Sequence, residues 1–254
     1  MRIRALVLST VLVVAIGAGI GLALLSLPSR EDVAKQVSFG EKVRTYLITN
    51  PEVFTEAARI LQQRSDAQRV AARKRTLGAF RRLIRSPRGL PVLGNAEADV
   101  TVVEFFDYRC PFCKRSLEVL HRLVTDDPKL RIVFKEFPIL GPESVFASRV
   151  AIAAHAQGKY LEVHDALMSH RGQFDEQTVL GIARGLGIDI ERLRADMQKP
   201  RVARIIREAR LLADRLAITG TPALVIGDEV VNGYADLVTL KSLVMQARKT
   251  CDTC

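Results

Sequence analysis

Hydrophobic positions along the chain fall into three regimes. An uncharged apolar run occupies residues 5–27, and its 23 residues suffice for a membrane-crossing helix, which needs about 20. From about 31 to 86 apolar residues thin out and take helical spacing. Val70, Leu77 and Ile84 recur every seven residues with Phe80 between them, a narrow stripe that suits contact with a partner. Asn50-Pro51 breaks this region, with Asn50 expected as N-cap and Pro51 at the first position of the next helix. The third regime opens with β-branched and aromatic residues over 100–106, a strand, followed by Leu117, Leu120, Leu123 and Val124 at helical spacing. A second strand covers 130–137 and stops at Pro138. Only helical patterns follow, over 145–154, 160–168, 178–186, 190–197 and 202–216, with Gly172, Gly187 and Pro200 as breaks. Strands resume at 223–226 and 230–231, before a helix over 236–247.

The chemistry concentrates where the first strand meets its helix, at Cys110-Pro111-Phe112-Cys113. Cys110 stands at the helix N-terminus and Cys113 one turn inside. The backbone N–H groups and the positive end of the helix dipole favour a thiolate at Cys110. Pro111 fits the first turn, where its missing N–H costs nothing. A strand, a Cys-x-x-Cys and a helix in that order make a dithiol–disulfide exchange site. Half of a zinc site or a plain structural disulfide is the alternative, but zinc needs four ligands, usually from a second nearby pair. The remaining cysteines, Cys251 and Cys254, lie at the far C-terminus. Pro222 opens a short apolar strand, a position that suits an edge or a first strand residue. A cis Thr221–Pro222 peptide is expected, bending the chain and freeing the Thr221 backbone to pair with an extended substrate. A trans proline at a strand start is the alternative.

These two motifs, more than a hundred residues apart, together resemble the DsbA-like branch of the thioredoxin superfamily over about residues 91–250. The resemblance implies an α/β thioredoxin fold with an inserted helical domain at about 141–217, and a proline loop packed against the dithiol. Thr221 and Pro222 are therefore site residues by resemblance. Glu104, on the strand leading to Cys110, matches the buried acid that assists proton transfer in this branch; an edge-exposed glutamate is the alternative. DsbA itself carries a histidine between the cysteines. Phe112 cannot supply that polarity, so Cys110 should be less strongly acidified and the disulfide a milder oxidant. The Asn50-Pro51-Glu52-Val53 helix ahead of this domain resembles the N-terminal region of ScsC-type proteins, some of which oligomerise through it.

Arg2 and Arg4 before the apolar run place the N-terminus in the cytoplasm and the rest outside. An uncleaved signal-anchor over 1–29 is expected, with a cleaved signal peptide as the alternative. Outside the cytoplasm a reactive dithiol has disulfide-forming work to do. The domain expectation is thus an anchor at 1–29, a basic helical stalk at 30–88 and the catalytic domain at 89–254. Charge is uneven: the chain carries +10, and residues 59–88 alone carry ten basic residues against Asp66. A solvated helix face is one account, contact with anionic lipid the other. Nucleic acid is not expected as a partner in that compartment. Cys251 and Cys254 read equally as a second redox pair, a soft Cu(I) site or an inert disulfide. His121, His155, His164 and His170 show no metal spacing and read as surface or packing residues. The expected activity is a protein disulfide oxidase or isomerase without metal or cofactor, with copper binding through CxxC thiolates as its rival. Its expected partners are cysteine-containing substrate proteins, a membrane redox protein that resets the dithiol, and a second copy through residues 31–86.

Overall fold

The computed structural model describes residues 30–250. The apolar run at 5–27 and the tail cysteines Cys251 and Cys254 lie outside the described residues. Among the described residues no helix is long and apolar enough to cross a membrane. The chain divides into two compact units between Ala67 and Gln68.

The first unit contains helix α1, Arg30–Thr49, and the start of α2, Glu52–Arg85. Asn50 departs from its expected role. Its side-chain amide donates to the Tyr46 carbonyl at 2.8 Å, so it closes the end of α1 instead of capping α2. The last carbonyls of a helix run short of intrahelical donors, and here the Thr49 hydroxyl, donating to Thr45 and Tyr46, joins Asn50 in supplying them. Phe39, Val43 and Tyr46 on α1, and Phe54 and Leu61 on α2, are exposed within this unit.

The second unit is built on a five-stranded sheet. Its strands are β1 (Leu93–Gly94), β2 (Val100–Phe106), β3 (Leu130–Glu136), β4 (Ala223–Ile226) and β5 (Glu229–Asn232), in spatial order β1-β3-β2-β4-β5. Only β2 and β3 pair in parallel, and helix α3 (Pro111–Asp126) makes the crossover between them. Helices α4 (Pro142–Ala154), α5 (Tyr160–Ser169), α6 (Glu176–Gly185), α7 (Ile190–Met197) and α8 (Pro200–Arg215) form the insertion, and α9 (Leu237–Thr250) closes the described chain. The short antiparallel β1 carries too few residues to register as a strand in the sequence.

All seven residues of β2 are buried, as expected of a strand covered on both faces. Val102, Phe106, Ile132 and Phe134 join the core formed with α3 to α9. Val103, Phe105, Val133 and Phe137 meet the end of α8 together with Leu77 and Ile84 of α2. The heptad stripe on α2 therefore splits: Leu77 and Ile84 pack on this sheet, while Val70 stays exposed. Lys135 locks α2 in place by donating from Nζ to the carbonyls of Leu83 at 3.3 Å and Ser86 at 2.6 Å, acceptors that the helix end leaves open. Burial pushes the Lys135 ammonium down to about 7.

Candidate active site

The chain leaves β2 at Phe106 and turns through Asp107-Tyr108-Arg109 to reach the dithiol. The Cys110 N–H donates to the Asp107 carbonyl at 3.1 Å, and the Cys110 carbonyl accepts from Lys114 N–H at 3.1 Å. Cys110 is thus the N-cap of α3, with Pro111 following it in the first turn. Both sulfurs are thiols, with 5 % of Cys110 and 1 % of Cys113 accessible. The two differ in charge preference. The Cys113 side chain, then Thr221, and then the N–H groups of Cys113 and Phe112 favour a thiolate at Cys110 and bring it down to about 5 against the pull of burial. Burial, the Cys110 sulfur and the Glu104 charge all push Cys113 far above the usual thiol range. One sulfur is prepared as an anion and its neighbour holds a proton.

Thr221 lies 111 residues away in sequence, yet its carbonyl oxygen is 3.2 Å from Cys110 Sγ, where it accepts from the sulfur in its protonated form. The Thr221–Pro222 peptide is cis, and the Pro222 carbonyl accepts from Gly233 N–H at 2.8 Å, which anchors the loop to β5. Glu104 is 1 % exposed on the face beneath α3, not at an edge. Burial, the Cys110 charge and Glu136 raise its carboxyl to about 8, and its Oε1 has no hydrogen-bond partner among the described residues. Phe112 stands 56 % exposed in the first turn of α3, an apolar surface beside the sulfurs.

Asp107 organises this end of the sheet. Its Oδ1 accepts from Arg109 N–H at 2.8 Å and Ser144 Oγ at 2.7 Å; its Oδ2 accepts from the N–H groups of Ile139 at 2.8 Å and Leu140 at 3.0 Å. One buried carboxylate thereby joins the dithiol turn to the loop that starts α4. Arg109 adds bonds to the Leu140 carbonyl at 2.7 Å and Glu143 at 2.8 Å. Gly141 follows at φ +119, where a Cβ would lie 3.2 Å from both the Arg109 guanidinium and Glu143, so glycine suits both the backbone and the space.

The sequence singles out neither Asp107 nor the buried polar group formed by Glu136, Tyr108, Tyr160 and His164. Tyr160 and His164 stand four residues apart on α5, a spacing that puts them on one helix face. That spacing is the available signal, and it reads equally well as ordinary core. His164 is buried, not at the surface. Among the described residues no group of three His, Cys, Asp or Glu side chains is placed to hold a metal ion.

Burial of two glutamates has a consequence for stability. Glu104 and Glu136 are each raised from 4.5 to about 8, so the folded protein keeps protons that the unfolded chain releases. Their contribution is complete below 4.5 and is lost as pH climbs through 8. His164, Cys110 and Lys135 are held below their ordinary values, at about 3, 5 and 7, and act oppositely above those values, so the trends offset in the parent. The glutamate contribution is read by difference: the urea midpoint of Glu104→Gln relative to the parent is expected to rise as pH climbs from 4.5 to 8.

Comparison with known proteins matches residues 101–245 to the DSBA-like thioredoxin domain family and residues 36–68 to the copper resistance protein ScsC N-terminal domain family. A thioredoxin-like oxidoreductase from Silicibacter pomeroyi DSS-3 is 47% identical with a TM-score of 0.64, covering 66% of this chain and 97% of that one. The thiol-disulfide exchange protein alpha-DsbA2 from Wolbachia pipientis is 31% identical with a TM-score of 0.66, covering 70% of this chain and 97% of its own. The Na(+)/H(+) antiporter NhaA 1 of Salinispora arenicola (strain CNS-205) is 33% identical over 158 residues, 61% of this chain but 24% of that protein. The chain spans about a quarter of the length of the first curated relatives it matches.

Proposed function

The chain belongs to the DSBA-like thioredoxin domain family, a family of thiol–disulfide oxidoreductases, and from that premise we propose that it oxidises or isomerises disulfides in proteins outside the cytoplasm. The observation that carries this reading is the division of labour between the sulfurs, with Cys110 brought down to about 5 and Cys113 kept protonated. Cys110 forms the mixed disulfide with a cysteine of the substrate protein, and Cys113 resolves it. Glu104 moves the proton of Cys113. Thr221 and Pro222 present backbone to the substrate chain, and Phe112 offers it an apolar contact. Without a polar side chain between the cysteines, the disulfide is a moderate oxidant.

A membrane redox protein resets the dithiol, and residues 1–29 hold the protein at the membrane or direct its export. Self-association through residues 31–86 is supported by the ScsC N-terminal match and by the apolar side chains exposed on α1. The copper-binding alternative draws on the description of the family matched at residues 36–68, a stretch without cysteine. Exchange is favoured because the contrast between the two sulfurs is the property that exchange uses.

The test is catalytic turnover with the tail cysteines removed. A Cys251→Ser/Cys254→Ser chain is expected to keep reducing insulin and reactivating a scrambled disulfide substrate at rates within about a factor of two of the parent, since thiolate reactivity resides at Cys110. Loss of all turnover in the folded double variant would make the tail an obligate part of the site.

A further inference from the structure

Glu136 is a fully buried carboxyl on the strand beside that of Glu104, and the exchange mechanism above leaves it unused. Its Oε1 accepts from Tyr108 Oη at 3.0 Å and from Tyr160 Oη at 2.9 Å, while its Oε2 has no hydrogen-bond partner among the described residues. Behind Tyr108, His164 Nδ1 lies 3.2 Å from the same hydroxyl. Burial, and then the neighbouring His121, hold that imidazole down to about 3, so it is neutral and brings no positive charge. In the parallel ladder Glu104 lies opposite Phe134 and Phe106 opposite Glu136. The two glutamates therefore share one sheet face, two residues apart on neighbouring strands, a diagonal across which long side chains interact.

Two carboxyls buried together resist carrying charge at the same time. Burial raises Glu136 to about 8, while the hydroxyls of Tyr160 and Tyr108 that bond to it pull it back toward the anion and Asp107 opposes them. Glu104 has no such set of donors and faces the sulfurs. The asymmetry makes Glu136 the first of the pair to ionise as pH rises, and Glu104 the one that keeps its proton longer.

Resting on the exchange reading, we infer that Glu136 is a positioning residue that acts through Glu104 to keep a proton available for Cys113. In the oxidising direction a substrate thiolate attacks Cys110 Sγ of the Cys110–Cys113 disulfide. The S–S bond breaks, its electron pair leaves on Cys113 Sγ, and Glu104 passes its proton to that sulfur while the mixed disulfide forms. In the reverse direction the Cys113 thiol returns the proton to Glu104, its sulfur attacks Cys110 Sγ, and the substrate leaves as thiolate. A charge on Glu136 makes Glu104 the stronger base in that return step.

The experiment is the pH dependence of the single-turnover reaction between the oxidised full-length protein and a small thiol, compared among the parent, Glu136→Gln, Tyr160→Phe and Glu104→Gln. Glu136→Gln is expected to move the midpoint assigned to Glu104 down by about one pH unit, the scale of coupling between interacting buried carboxyls. Tyr160→Phe weakens the hold on the Glu136 anion and should shift the midpoint in the same direction by less; it decides the matter if Glu136→Gln does not fold. Glu104→Gln should abolish that limb. A slower reaction with an unmoved midpoint in Glu136→Gln, or in Tyr160→Phe where the former does not fold, would overturn the inference and leave Glu136 a packing residue. Retained turnover in Cys110→Ser would instead overturn the exchange reading itself.

Discussion

Replacing Cys110 with serine is expected to bring exchange down to the uncatalysed rate, whereas Cys113→Ser should still attack and then stall. The two sulfurs are one helical turn apart but differ in what they can do. At neutral pH a thiol brought down to about 5 is almost wholly thiolate, the reacting form. Serine cannot replace it, because a hydroxyl at a helix N-terminus stays protonated. Cys113 is buried and its thiol is held far above the usual range; it acts only once the mixed disulfide has brought a sulfur within its reach. Cys113→Ser should therefore accumulate a covalent adduct with a cysteine-containing substrate, visible as a reducible band on a non-reducing gel. Limiting alkylation of the reduced parent at neutral pH should label Cys110 first, and faster labelling of Cys113 would reverse the two roles.

Asp107→Asn is expected to destabilise the second unit by about 3 kcal/mol or more, among the larger effects of a single substitution. The carboxylate accepts four hydrogen bonds while fully buried, two on each oxygen. Asparagine has nearly the same shape but turns one acceptor into a donor. If that NH2 takes the Oδ2 position, it faces the N–H groups of Ile139 and Leu140, leaving both without a partner and adding a donor–donor repulsion. Flipping the amide moves the conflict to Arg109 N–H. Ser144→Ala removes only one of the four bonds and should cost nearer 1 kcal/mol. Thermal unfolding of both variants checks the difference. Because the same carboxylate ties the dithiol turn to the start of α4, the Asn variant should also exchange disulfides more slowly than Ser144→Ala.

Much of the architecture is legible in the amino-acid sequence, and for a local reason. The run over 100–106 is apolar on both faces because both faces of β2 are covered, so continuous hydrophobicity identifies it. The helices of the insertion declare themselves through spacing and through Gly and Pro breaks, which depend only on nearby residues. A thiolate at Cys110 is likewise readable, since the N-terminus of a helix and the sulfur at its cap are neighbours in sequence. The α2 stripe is a contact surface as its spacing implies, but the partner of Leu77 and Ile84 is the sheet of the same unit. A heptad pattern specifies that a face is covered without specifying by what.

Sequence alone determined which short segments are the candidates for chemistry: Cys110 to Cys113 at a strand–helix junction, and Thr221-Pro222 at the opening of a strand. Tertiary structure decided what those segments meet. Thr221 reaches Cys110 across 111 residues because β4 pairs with β2, the strand that leads to the dithiol. Glu104 and Glu136 share a face because β2 and β3 pair in parallel at one register, and a slip of one residue would have put them on opposite sides. Asp107 looks like a solvated turn residue until four donors converge on it. Burial is what turns these carboxyls from ordinary surface acids into groups that keep protons or lock a loop, and burial belongs to the packed sheet and helices, not to any window of sequence.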